Sequence, residues 1–258
     1  MHPSRRDRPS ARTVLMRAVL VAASAGPGLG LSAAEPEAAR AARPGQPASR
    51  SEQRLEGFRI LVDDCLLPGG EHADLGREAL EFLRGKLTDI RIVMPADRLA
   101  RIREVTIVLD RSCGDLGAMQ YHPSGDWLAG HGYPRELARC VHLPQAADLA
   151  TRRNVAEQPW VVLHELAHAY HDQVLGFEEP RVVAAWEAFK AAGVGDATLR
   201  FDGARSRHYA LTDQKEFFAE MTEAFFGSND FAPFNRAELK TGFPDLDALL
   251  EEILGMRR

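Results

Sequence analysis

The spacing of apolar residues alternates between strand and helix periods along this chain, and each stretch predicts an element. In "GFRILVDD", residues 57–64, apolar and polar positions alternate and β-branched and aromatic residues are frequent, which predicts a strand. "HADLGREALEFLRGKL" follows with Leu75, Leu80, Phe82, Leu83 and Leu87 at helical spacing. A short helix around Pro95 to Arg103 leads into "VTIVL", a compact apolar run expected to be a buried strand. Two short strands are expected near "GAMQY" and "CVHLP", with a Gly-, Pro- and His-containing loop between them. From Glu157 onward the pattern is helical, over 157–175, 179–192, 213–226 and about 245–254. Gly176, Gly227 and Gly255 stand at the expected ends. Strands first and helices after predict a single α+β domain over residues 53–258.

The N-terminal stretch has a different character. Arg5, Arg6, Arg8, Arg12 and Arg17 precede the apolar run "AVLVAASAGPGLGLSAA", which ends with small residues Ser32 and Ala34. That order predicts a secretory leader over residues 1–34 and a protein that is secreted or periplasmic once it is cleaved. A membrane anchor is disfavoured, because the run contains Pro27 and falls short of the roughly 20 residues a spanning helix needs. Residues 35–52, rich in Ala, Pro, Arg and Glu without apolar periodicity, read as a disordered linker.

Charge narrows the partners. Removing five arginines and one aspartate with the leader reduces 32 basic and 37 acidic side chains to 27 and 36, a net of −9. An acidic chain without a Lys/Arg cluster offers no electrostatic basis for binding nucleic acid or an anionic membrane. In an exported protein, Cys113 and Cys140 could form a disulfide across one loop-rich region, leaving Cys65 free. Three small buried thiols are the alternative.

The chemistry concentrates in "VVLHELAHAYHD", residues 161–172. Two histidines and a glutamate inside an apolar helix lose their hydration without return unless something compensates. On a helix, i and i+4 are about 40° apart and one turn displaced, so His164 and His168 can reach a common point. Glu165 lies beside the first. This is the two-histidine zinc motif with the glutamate as general base. His171 and Asp172 lie roughly 10 to 12 Å along the axis from His164 and are too far to join them. A third ligand must come from elsewhere, and "HYALTDQKEFFAEMTEAFFG", residues 208–227, is the best source. Phe217, Phe218, Met221 and Phe225 form an apolar stripe there, and Glu216, Glu220 and Glu223 a second one. A solvated acidic face, with Glu216 in a capping box from Asp213, is the plain alternative. If a metal is present, one carboxylate can bind it while the next supports a ligand histidine.

"HELAH" followed by "YALTDQKEFFAE" resembles the gluzincin-type zinc proteases that include the anthrax lethal factor catalytic domain and the Pro-Pro endopeptidases. The similarity covers residues 158–227. It implies a zincin-like domain with one Zn2+ held by His164, His168 and Glu216, and Glu165 as general base. It also implies Tyr209 as a hydrogen-bond donor to the oxyanion and Glu220 as the supporting carboxylate. The implied activity is hydrolysis of a peptide or protein substrate.

Such enzymes hold the substrate backbone along an edge strand. "RCVHLP" is the expected edge, through Cys140, Val141 and His142, with Arg139 and His142 at the rim. His122, His131 and His142 otherwise read as ordinary surface or capping histidines. Alternation turns His208 away from the metal. Trp160 and Trp186 read as core, and residues 228–239 as one side of the cleft or as a packed return loop. Two other readings use the same ligands: a zinc-stabilised binding or regulatory protein without turnover, and a zinc hydrolase of a non-peptide amide.

Overall fold

The computed structural model describes residues 45–255. The expected leader lies outside that range. Strands β1 (Arg50–Leu55) and β2 (Phe58–Asp63) form an antiparallel hairpin. Helices α1 (Ala73–Val93) and α2 (Ala96–Ile102) then cross to β3 (Ile107–Leu109), which lies parallel to β2. A two-residue strand β4 (Gln120–Tyr121), a short helix α3 (Gly125–Gly130) and β5 (Val141–Leu143) complete a sheet of order β1-β2-β3-β5-β4. The parallel strands β2, β3 and β5 lie inside, and antiparallel strands close both edges.

Helix α4 (Val161–Tyr170) runs on into a π-helical turn, His171–Leu175. Helix α5 (Pro180–Ala191) precedes a small hairpin of β6 (Thr198–Leu199) and β7 (Arg205–Ser206). Then come α6 (Gln214–Phe226), α7 (Arg236–Gly242) and α8 (Pro244–Leu254). The architecture is mixed α+β. Phe58, Ile60, Val62, Ile107 and Leu109 face the main core with α1, α4 and α6. Val108 points the other way, into a smaller cluster with Cys113, Leu116, Leu128, Leu137 and Cys140. Helices therefore cover one face of the sheet and the loops around α3 the other. Among the described residues no helix is long and apolar enough to cross a membrane.

Several expectations need correction. The ordered chain reaches back past residue 53: β1 starts at Arg50, inside the stretch read as linker. Its burial is confined to Leu55 and part of Arg50, so a hydrophobic pattern could not reveal it. Cys113 and Cys140 are both buried free thiols of the small cluster, and Cys65 is free as well. Of the two readings of residues 228–239, the packed return loop is the one observed: Asn229 donates to Glu220 O, Phe231 stacks on His208, and α7 begins at Arg236. Gly227 does end α6, but without a left-handed turn. The Trp160 indole comes so close that a Cβ on Gly227 would lie 1.9 Å from it.

Candidate metal centre

Helix α4 is set by its apolar positions. Val162, Leu163, Leu166, Ala169 and Tyr170 enter the main core, which turns His164 and His168 toward α6 and Glu165 toward β4. All three are buried. Opposite them, Asp213 caps α6 by accepting from Lys215 N and Glu216 N at 2.9 and 3.0 Å. Phe217, Phe218, Met221 and Phe225 anchor α6 in the core, so Glu216, Glu220 and Glu223 face α4. The cap expected at Asp213 is therefore present, and the Glu216 side chain is still free to turn to the histidines.

The donor atoms converge. Glu216 Oε2 is 3.1 Å from His164 Nε2 and 3.3 Å from His168 Nε2. Tetrahedral zinc with bonds of about 2.0–2.1 Å needs ligand atoms about 3.3 Å apart, so this donor set fits such an ion. On its other ring nitrogen, His164 Nδ1 lies 2.7 Å from Glu223 Oε1 and 3.7 Å from Glu220 Oε1. The supporting carboxylate is thus Glu223, correcting the expectation of Glu220. On a helix, i+7 from Glu216 returns to within about 20° of its direction, whereas i+4 is about 40° off on the other side. The His164 ring spans that two-turn gap between Glu216 and Glu223.

Burial and charge set the protonation. Burial pushes His164 down, but its hydrogen bonds to the accepting carboxylates of Glu216 and Glu223 outweigh it and raise its pKa well above the ordinary value. Burial would raise Glu216, yet His168 and His164 hold it far below the usual carboxylate range. Glu165 is raised, by burial foremost, with the two histidine charges opposing. Glu220 is raised well above its ordinary value by burial and by the Glu223 charge. Tyr209 stands in a 3-10 turn, Tyr209–Leu211, with its ring 6.5 Å from that of His164. Burial, then the carboxylates of Glu216 and Glu165, push its phenol upward, so it remains a donor. His208 caps that turn by accepting from Ala210 N and is fully buried.

The expected edge strand is displaced by one. β5 lies between β3 and β4, so Val141 and His142 have no free edge. The edge is β4. His122 donates its backbone N–H to Cys140 O, so Tyr121, one residue earlier, turns its N–H and C=O away from β5. The Tyr121 N–H donates to Glu165 Oε2 at 2.8 Å. No sequence pattern signals this contact, which joins residues 44 apart through a backbone atom.

His142 and His122 are not rim or surface residues. Arg50 grips both oxygens of Asp110 at 2.6 and 2.7 Å. Asp110 Oδ2 is 2.8 Å from His142 Nε2, and His142 Nδ1 is 3.1 Å from His122 Nε2. Asp110, Cys113 and His142 also bring donor atoms together. The guanidinium of Arg50 already supplies the cation there, and burial pushes the Cys113 thiol up to about 12. His131 does remain exposed. No family model, curated protein or solved structure matches the chain.

Proposed function

We propose that this chain is a zinc-dependent peptidase of gluzincin type, with a zincin-like domain, exported after loss of its leader. The observation that carries the reading is the meeting of His164 Nε2, His168 Nε2 and Glu216 Oε2 at bonding separation, beside Glu165. Zinc bound there would acidify a water and polarise the carbonyl of the scissile bond.

The chain's own groups do the rest. Glu223 accepts from His164 Nδ1–H and so fixes the tautomer that would offer its Nε2 lone pair to a bound zinc. Glu165, buried and raised in pKa, takes a proton from water and passes it to the leaving amine. Tyr209 donates its phenolic hydrogen to the oxygen that gains charge. The outward C=O of Tyr121 offers an extended peptide a backbone partner, which favours peptides over small amides. The charge balance gives nucleic acid no place in this reading.

The test uses Glu165→Gln and a peptide library. Wild-type protein should cleave it, a chelator should stop cleavage, and Glu165→Gln should keep one zinc per chain while losing turnover. Unchanged turnover in Glu165→Gln overturns the mechanism. Tightly held zinc without cleavage of any peptide would favour a zinc-stabilised binding protein.

A further inference from the structure

Beyond the ligands and the base, one residue links the edge strand to the active-site helix at two points, through its backbone and its side chain. Tyr121 gives its backbone N–H to Glu165 Oε2, and its phenol donates to Asp172 Oδ2 at 2.5 Å. Glu165 and Asp172 are seven residues apart, two turns along one side of the helix, or about 10 Å by the helical rise. A tyrosine spans such a gap when its amide reaches one end and its hydroxyl the other.

The π-helical turn, His171–Leu175, completes the grip. Its wider winding re-aims the residues beyond Tyr170, a distortion that recurs at functional sites. Gln173 Nε2 donates to the Tyr121 phenolic oxygen at 3.2 Å and to Arg139 O at 3.1 Å. Arg139 has φ +61°, left-handed backbone that costs a non-glycine residue energy and persists only when its surroundings hold it. It also donates its N–H to His122 O at 2.6 Å. The end of α4 therefore holds both the edge strand and the loop that enters β5.

We infer that Tyr121 and Asp172 are positioning residues: the phenol–carboxylate bond fixes the edge strand so that the Tyr121 amide orients Glu165. This rests on the peptidase reading for its consequence, though not for its geometry. With Oε2 engaged by the amide, Oε1 is the oxygen left to meet water. Untied, β4 keeps two residues of pairing with β5 and the backbone bonds of His122 to Cys140 and Arg139, all on the side away from α4, and the Glu165 carboxylate can rotate. A misplacement of about 1 Å at a catalytic group can cost about 100-fold in rate.

The experiment uses full-length mature protein carrying Tyr121→Phe, Asp172→Ala or Asp172→Asn. Hydrogen exchange at the residue-121 amide is read with zinc and in chelator, and kcat and KM are measured separately. Tyr121→Phe and Asp172→Ala should each speed exchange at that amide at least tenfold while exchange within α1 is unchanged. Zinc content should hold, and kcat should fall tenfold or more with KM near wild type. Asp172→Asn, which still offers a carbonyl oxygen to the phenol, should restore most of both. Wild-type exchange at residue 121 in folded Asp172→Ala overturns the inference, as does an Asp172→Asn no better than Ala. The exchange arm needs no substrate, so a protein without peptidase activity would sink the functional reading and leave this one standing or falling by itself.

Discussion

Glu223 Oε1 lies 2.7 Å from His164 Nδ1, while Glu220, one turn earlier on the same helix, stays 3.7 Å away. The two carboxylates are adjacent in the sequence pattern and unequal in chemistry. Glu223→Ala should weaken zinc binding about 10- to 100-fold, the usual cost of removing a carboxylate that orients a ligand histidine. Burial and the Glu223 charge raise the Glu220 carboxyl well above its ordinary pKa, which favours its neutral form, and Glu220→Gln keeps the shape of that form. It should change zinc affinity little. Competition against a fluorescent zinc indicator measures both, and a larger loss in Glu220→Gln than in Glu223→Ala would reverse the assignment.

Tyr209→Phe should lower kcat by roughly 100-fold, with smaller change in KM, if its phenol stabilises charge that develops only in the transition state. Zinc content should not move, because the ring approaches His164 without being among the converging donors. An equal loss in kcat and zinc would show the residue shaping the ligand set instead.

Local patterns made the helices legible. The 3.6-residue spacing of core positions announced α1, α5, α6 and α8, and the i, i+4 histidines placed themselves on one face of α4. The sequence left a choice among three glutamates, and only the relative placement of α4 and α6 decides it. Short elements were less visible: α3 has six residues, α7 seven, and neither carries enough periodicity to stand out. The position of β5 inside the sheet was hidden for another reason. An apolar three-residue strand reads the same in the middle as at an edge, and here the two residues of β4 decide which it is. The burial of His142 has no local sign because its ring partners, Asp110 and His122, come from 32 and 20 residues away.

Arg50 shows why the fold begins before residue 53. Its side chain, 15% exposed, meets a fully buried Asp110 and ties β1 across the end of β2. Arg50→Ala should cost about 3 kcal/mol, since removing one partner leaves a buried charge unpaired. The double variant Arg50→Met, Asp110→Asn should recover part of that loss. Chains starting at residue 45 and at residue 53 should differ in the same direction, measured by urea unfolding. A truncation without effect would make β1 dispensable.

His171 gives a test in acid. It is fully buried between Phe177 and Phe218, and neither ring nitrogen has a hydrogen-bond partner among the described residues. Burial, then the neighbouring positive charges of His168 and Lys215, hold its pKa at about 3. The unfolded chain takes up this proton near pH 6.5 and the folded chain does not, so acidification below pH 6.5 favours unfolding. His171→Leu removes the difference. At pH 7.5 the variant should be at least as stable as the wild type, because it also removes unpaired buried nitrogens. Between pH 7.5 and pH 5 its advantage should grow by about 2 kcal/mol, at about 1.4 kcal/mol per pH unit below 6.5. Urea unfolding of both proteins in chelator keeps zinc release out of the comparison, and other titrating groups cancel in the difference. An advantage that stays constant over that range would mean that His171 protonates in the folded protein as readily as in the unfolded chain.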